Sequence, residues 1–286
     1  MKVSVEERTL HFKKPARTSR GAYTDHRIFI VTVEDELTGC RGMGECAPLP
    51  DLSSDRGAYP DRETVYRLID AALASGDFAE YLRPYPALLF ALESAVMECR
   101  HDPLLYDTPF ARGEEGIPAN GLIWMAGYDE MLAQIEQKLE MGFRCIKLKI
   151  GAIGWEDELS LIRMIRSRFS ADELQLRVDA NGGFSPQEAM MKLRELARWD
   201  IHSIEQPVLA RWQQCSTGSW EQMAALCRET PVPIALDEEL IGVNDASERV
   251  ALLDHIHPQY IVVKPTLHGG VSGTLEWIRQ ASERGI

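Results

Sequence analysis

An α/β fold with a parallel sheet, preceded by a smaller α+β domain, is what this sequence predicts. After Gly116, short apolar runs of strand length alternate with helix-length amphipathic segments through six rounds. Strand, helix, strand at that spacing means parallel strands joined by right-handed crossovers. Five of the six runs also carry, at or next to their end, a charged residue that a buried parallel strand would normally exclude.

Residues 1–113 read as the separate α+β domain. Alternating runs at residues 3–12 and 27–33 predict strands, and periodic stretches around residues 62–75 and 86–99 predict helices. Two loops carry turn chemistry and are candidate lids: Thr18-Ser19-Arg20-Gly21-Ala22 and Pro48-Leu49-Pro50-Asp51-Leu52-Ser53-Ser54-Asp55. Arg20 is the residue of the first loop that could meet a substrate. Plain surface connection is the competing reading of both loops.

Residues 114–286 hold the repeating part. Strands are expected at 119–125, 144–150, 174–179, 201–205, 233–237 and 260–264, and helices near 129–141, 155–169, 186–199, 220–229, 246–254 and 270–284. No G-x-G-x-x-G follows any of these strands, which weakens a dinucleotide-binding version. An open doubly wound sheet and a closed barrel both fit the alternation.

The totals exclude several classes. A chain of 286 residues can bury a large core without a disulfide scaffold. Its six cysteines are scattered with no C-x-x-C pair, and Met1 is followed by charged residues rather than an apolar leader, which predicts a reduced, cytoplasmic protein. Apolar runs such as residues 28–33 are too short to cross a bilayer. A formal net charge of −13 disfavours a nucleic-acid partner, because phosphate binding needs a surplus of Lys and Arg. The net charge says nothing about the substrate, since a local cationic or metal site can bind an anion on an acidic protein; the small-molecule carboxylate substrate expected here rests on the residues below, and nothing in the pattern fixes an oligomeric state.

The five strand-end charges are Lys149, Asp179, Glu205, Asp237 and Lys264, separated by 30, 26, 32 and 27 residues. Each interval is one strand-helix unit, so the charges land on one face, the carboxyl end of the strands, where loops of such folds build active sites. Three carboxylates there would repel one another unless a cation sat between them. All-oxygen ligation without a His or Cys cluster favours a hard ion, so Mg2+ is expected, with Mn2+ as its substitute. Taken singly, any of these acids could instead cap the following helix or pair with an Arg; three in consecutive units argue for the metal.

In Cys145-Ile146-Lys147-Leu148-Lys149-Ile150 the two lysines are two apart, so both point to one side of a strand while Ile146, Leu148 and Ile150 face the helices. A lysine acts as a general base only when neutral, which asks its pKa to fall from about 10.4 toward roughly 7 to 8. If a barrel closes, Lys264 in Val262-Val263-Lys264-Pro265-Thr266 faces Lys149 across a bound substrate. A substrate carboxylate whose α-proton leaves would then become an enediolate stabilised by cations. His268-Gly269-Gly270 could offer the N–H groups of Gly269 and Gly270 to an anionic substrate group, with an ordinary loop-to-helix turn as the alternative. His202, His255 and His257 lie at the entry side of their strands and read as structural.

Lys147-Leu148-Lys149, Asp179-Ala180-Asn181, Glu205-Gln206-Pro207, Asp237-Glu238-Glu239 and Lys264-Pro265-Thr266-Leu267 resemble, in order, the motif series of the muconate-cycloisomerase-like branch of the enolase superfamily. Gly42-Met43-Gly44-Glu45-Cys46-Ala47-Pro48-Leu49-Pro50 is similar to that branch's capping-domain motif, so the resemblance covers nearly the whole chain. Within the branch, the Lys-Pro-Thr-Leu run and the compact capping domain most resemble the o-succinylbenzoate synthases.

That resemblance implies an enolase-type (β/α) barrel with an N-terminal α+β capping domain. It implies a Mg2+-assisted syn dehydration of a hydroxylated succinyl-cyclohexadiene carboxylate to 2-succinylbenzoate, a carbon-oxygen lyase step of menaquinone biosynthesis. Asp179, Glu205 and Asp237 would be the metal ligands, and Lys149 the base that removes the α-proton and returns it to the departing hydroxyl. Lys264 would stabilise the enediolate electrostatically, and Lys147 would help bind the substrate carboxylate and tune Lys149. Asn181 and Glu238 would support these groups from behind.

The family's barrel has further strands after the one bearing Lys264, whereas the sequence given stops at Arg284-Gly285-Ile286. Six strand-helix units are therefore expected, with the C-terminal strands absent. Two other readings stay open. One is an N-succinylamino acid racemase or dipeptide epimerase, which uses the same metal triad with lysines on both faces. The other is a noncatalytic, truncated barrel.

Overall fold

The computed structural model describes residues 1–18, 21–100, 106–151, 153–210 and 220–286. They form two compact units: Met1–Ile117 with Leu240–Arg249 and Val263–Ser282, and Pro118–Glu239 with Val250–Val262 and Glu283–Ile286.

The first unit begins with an antiparallel meander of β1 (Lys2–Thr18), β2 (Gly21–Glu34) and β3 (Arg41–Cys46). The β1–β2 hairpin is longer than the apolar alternation suggested. It pairs out to Thr18 opposite Gly21, with an irregularity between His11 and Ala16. Among its described side chains the distal half is mostly exposed, with Ala16 and Tyr23 half-buried, so it carries no period-two signal. Strand β3 has no such signal either, because two of its three inward positions are Gly42 and Gly44.

Those glycines are there for a reason of space. A Cβ on Gly44 would collide with the carbonyl of Ala91, and one on Gly42 with that of Ala95. Both carbonyls belong to helix α3 (Pro86–Arg100), which follows α1 (Arg62–Ala74) and α2 (Phe78–Tyr81). Helix α1 starts where Asp61 accepts the N–H of Thr64 at 2.7 Å, an acidic N-cap. Helix α3 starts where the buried Asp55 accepts the N–H of Ala87 at 3.0 Å and the hydroxyl of Tyr59 at 2.5 Å. The segment that carries Asp55, expected as a candidate lid, is tied down locally: Ser53 is fully buried and its Oγ accepts from Leu49 N–H at 2.8 Å. Phe29, Val31 and Val33 of β2, Val65 and Ile69 of α1, and Leu88, Leu89 and Leu92 of α3 make the core.

The second unit is an all-parallel sheet whose six strands run in sequence order: β4 (Gly121–Ile123), β5 (Cys145–Lys149), β6 (Gln175–Asp179), β7 (Ser203–Glu205), β8 (Ile234–Leu236) and β9 (Tyr260–Ile261). In the chain each strand is followed by a helix: α4 (Tyr128–Glu140), α5 (Trp155–Arg168), α6 (Pro186–Leu196), α7 (Trp220–Glu229), α8 (Ala246–Ile256) and α9 (Gly270–Ser282). Strand, helix, strand in unbroken order is an α/β architecture. The expected strand to residue 264 stops at Ile261; Val262 gives one more ladder bond, to Leu236 O at 2.8 Å, and the carbonyl of Lys264 is taken by a turn.

The alternation sorts the two faces of the sheet. Ile146 and Leu148 of β5, Leu176 and Val178 of β6, and Ile204 of β7 are fully buried, as are Ile135 of α4 and Ile162 and Ile165 of α5. Each such side chain contributes about 1.5–3 kcal/mol relative to exposure. Lys147 and Lys149 point to the other face. No helix among the described residues is long and apolar enough to cross a membrane.

Candidate active site

Parallel register lines up three of the strand-end charges. Lys149 is paired with Asp179 across β5 and β6, and Asp179 with Glu205 across β6 and β7, so the three side chains share one rung and one face. Glu205 pairs in turn with Ala235, two residues before Asp237 and on the same face. Asp179, Glu205 and Asp237 are 1%, 7% and 3% exposed, a burial that carboxylates tolerate only when compensated.

The compensation is visible. Lys147 Nζ lies 2.5 Å from Glu205 Oε2 and 3.1 Å from Asp179 Oδ2. Lys149 Nζ lies 3.1 Å from the same Asp179 oxygen and donates to Asn181 Oδ1 at 2.5 Å. Burial is the largest single influence on the Lys147 ammonium and pulls its pKa down; the Asp179 and Glu205 carboxylates together outweigh it, and the net shift is upward. Lys147 is thereby held charged between two anions.

Asn181 and Glu238 support this group. Asn181, in the left-handed region at φ +44°, donates its backbone N–H to Asp179 Oδ1 at 3.1 Å and its side-chain amide to Glu238 Oε1 at 3.1 Å. Asn is among the residues that tolerate that backbone region.

Two participants were missed from the sequence. Gln206 is fully buried at φ +39°: its Oε1 accepts the N–H groups of Asp237 and Glu239, each at 3.2 Å, and its Nε2 donates to Val208 O at 3.0 Å and Glu239 Oε2 at 3.3 Å. It thus fixes the backbone around Asp237. Trp124, just past β4, places its ring centroid 5.5 Å from Lys149 Nζ, close enough for a cation–π contact, and is pinned by Gln134 through both its N–H and its carbonyl. The position of Gln206 inside the Glu205-Gln206-Pro207 motif is the sequence signal that could have found it; Trp124 has none.

Lys264 follows β9 by three residues, in a turn where its N–H donates to His268 Nδ1 at 2.8 Å. Gly269 and Gly270 take φ of +96° and +70°. The first free N–H groups of α9, those of Val271 and Ser272, are already met by the Glu93 carboxylate at 2.6 and 3.2 Å. Arg20 falls outside the described residues. His202 stacks on Tyr260 with centroids 5.3 Å apart, a packing contact.

Among the described residues, no three His, Cys, Asp or Glu side chains form a cluster arranged to hold a metal. The chemistry of the donor set suits one nonetheless. Asp179 and Glu205 are buried carboxylates already drawn round one positive charge, Lys147 Nζ, and Asp237 stands on the adjoining strand end. Oxygen donors of this kind are those of a hard divalent ion.

Known proteins share this arrangement of elements. The family model described as enolase C-terminal domain-like matches residues 130–286. An o-succinylbenzoate synthase from Desulfotalea psychrophila is 40% identical over an alignment of 321 positions that covers 100% of this chain and 84% of the relative. The L-Ala-D/L-Glu epimerase of Bacillus subtilis is 31% identical, over 91% of this chain and 71% of its own length. Among solved structures, that of MenC from Desulfotalea psychrophila superposes with a TM-score of 0.80 at 36% identity, covering 100% of this chain and 84% of that one. With more than half of its residues matched by the family model and its whole length aligned to a relative, this chain belongs to the enolase C-terminal domain-like family.

Proposed function

We propose that this chain is an o-succinylbenzoate synthase, a lyase that dehydrates a hydroxylated succinyl-cyclohexadiene carboxylate to the aromatic 2-succinylbenzoate of menaquinone biosynthesis. The observation that carries the reading is its likeness to such a synthase over the whole chain, greater than its likeness to the epimerase. The sequential parallel sheet supports taking residues 114–286 as the (β/α)-barrel part and residues 1–113 as the capping domain.

Asp179, Glu205 and Asp237 would hold Mg2+, the ion that enolase-superfamily members generally use. When bound, it supplies Lewis-acid stabilisation of the negative charge that develops on the substrate carboxylate as the α-proton leaves. Lys149 is the base. Its ammonium is held by Asp179 and Asn181 on the same face as the ligands, which aims it at a substrate seated there. Neutral Lys149 takes the α-proton and hands it to the hydroxyl leaving from the same face, so water departs and the ring becomes aromatic. Lys147, held charged, helps fix the substrate carboxylate, and Lys264 adds positive charge where the anion develops. Asn181, Glu238 and Gln206 keep these groups in register.

The test is a comparison of kcat/KM for the cyclohexadiene carboxylate, followed by the absorbance of the aromatic product, with kcat/KM for α-proton exchange of L-Ala-L-Glu in deuterated buffer, both with Mg2+. Preference for the dehydration supports the synthase; preference for the dipeptide replaces it with an epimerase.

A further inference from the structure

We propose that His268 is the positioning residue of Lys264. The inference rests on the reading of Lys264 as the cation that stabilises the developing anion.

A lysine carries its charge on a flexible four-carbon stem, so its ammonium returns to one place only if its backbone is held. The Lys264 backbone is held at both ends by one residue. Its N–H donates to His268 Nδ1 at 2.8 Å, and its carbonyl accepts the N–H of His268 at 3.0 Å and that of Leu267 at 2.8 Å. An imidazole nitrogen that accepts an N–H carries no proton of its own, which fixes the tautomer with the proton on Nε2. His268 is 1% exposed, so water does not stand in for this acceptor.

The residues after and around His268 hold it in turn. Arg249, 1% exposed, donates to His268 O at 3.2 Å and to Gly273 O at 3.0 Å, and pairs with Glu276 at 2.6 Å. Glu93 of α3 receives the first N–H groups of α9, and a Cβ on Gly270 would collide with its carboxylate. The imidazole therefore projects from a backbone braced by α3, α8 and α9. Of these contacts, the acceptor for the Lys264 N–H is the one that uses the imidazole ring.

The test uses His268→Asn, whose Oδ1 can occupy the place of Nδ1, and His268→Leu, which has no acceptor. In the Mg2+-loaded chain, His268→Leu is expected to lower kcat by about 10- to 100-fold with KM little changed, as for misplacement of a catalytic group, and His268→Asn to restore most of it. If His268 acts through Lys264, adding His268→Leu to Lys264→Ala costs nothing further, whereas a purely structural role lowers both backgrounds alike. Should His268→Leu fail to fold, His268→Gln, whose longer side chain displaces the acceptor, takes its place in the same cycle. Equal kcat for Asn and Leu variants, or additive losses with Lys264→Ala, overturns the proposal. A wild-type chain without synthase activity instead sinks the functional reading on which it rests.

Discussion

Lys147 reaches past β6 to meet Glu205 two strands away, its Nζ 2.5 Å from Oε2, while also touching Asp179 on the strand between at 3.1 Å. One ammonium therefore bridges two buried carboxylates, and Lys149 shares the first of them. Removing one partner of a buried ion pair typically costs about 3–5 kcal/mol, because the others are left charged and uncompensated. Lys147→Met should lower the unfolding temperature of the EDTA-treated protein, and Mg2+ should raise the variant's unfolding temperature by more than the wild type's. Equal stability of the two proteins without metal would contradict the pairing.

Lys149 stands beside Asp179 and Asn181 without lying between two of the proposed ligands as Lys147 does. Lys149→Ala is expected to reduce kcat by about 10²–10⁴-fold or more, the usual contribution of a positioned base. Calorimetric titration should find Mg2+ affinity largely intact. Substantial residual turnover would remove Lys149 from the role of base.

Gln206 ties the end of β7 to the segment carrying Asp237. Replacing it with Ala strands two buried N–H groups, those of Asp237 and Glu239, at a cost of about 1–3 kcal/mol for an unsatisfied group. Because Asp237 then loses its anchor, Mg2+ affinity should fall by about 10-fold or more, the magnitude typical of a partner that orients metal ligands. Denaturant titration and metal titration read the two effects separately.

Glu93 gives a pH prediction. Burial, the largest influence, pushes its carboxyl pKa up, and the bonds from Ser272 and Val271 only partly offset it. A folded pKa above the unfolded one contributes stability that is present below the unfolded value, about 4.3 for Glu, and is lost as pH rises through the folded value. Glu93→Gln keeps an oxygen for both N–H groups and cannot ionise. Its unfolding temperature should therefore fall less than that of the wild type as pH rises above about 4.3. Parallel profiles would contradict the shift.

Close approach of β3 and α3 makes a purely structural prediction. Gly44→Ala drives a methyl into the Ala91 carbonyl and should cost on the order of 1–3 kcal/mol, the range for overpacking. Gly57→Ala, where nothing lies within 4 Å, is the control and should be near neutral.

Much of the fold was legible because it is written as period. Strand-helix spacing located all six strands and six helices of the parallel sheet, and two-residue alternation put Ile146 and Leu148 on the helix side of β5. One charge per unit predicted a shared face, and the strand register then sets Lys149, Asp179 and Glu205 on a single rung. Strand β3 escaped because two of its three inward positions are glycines, chosen for closeness rather than hydrophobicity. Trp124 escaped because its role arises from a neighbour distant in sequence, Lys149; Gln206 sits inside a legible motif, but its bonds to Asp237 and Glu239 are not written there. Lys147 as the partner of two carboxylates is likewise a product of register, read only once β5, β6 and β7 lie side by side.

The measurement that tests the account most directly is formation of 2-succinylbenzoate from its hydroxylated cyclohexadiene precursor by this chain, with Mg2+, after EDTA, and after Mg2+ is restored. The account predicts product with Mg2+, none after EDTA, recovery on restoring the metal, and a loss of about 10²-fold or more from Lys149→Ala. A folded protein that binds Mg2+ and forms no product, or one whose turnover survives EDTA, would contradict it.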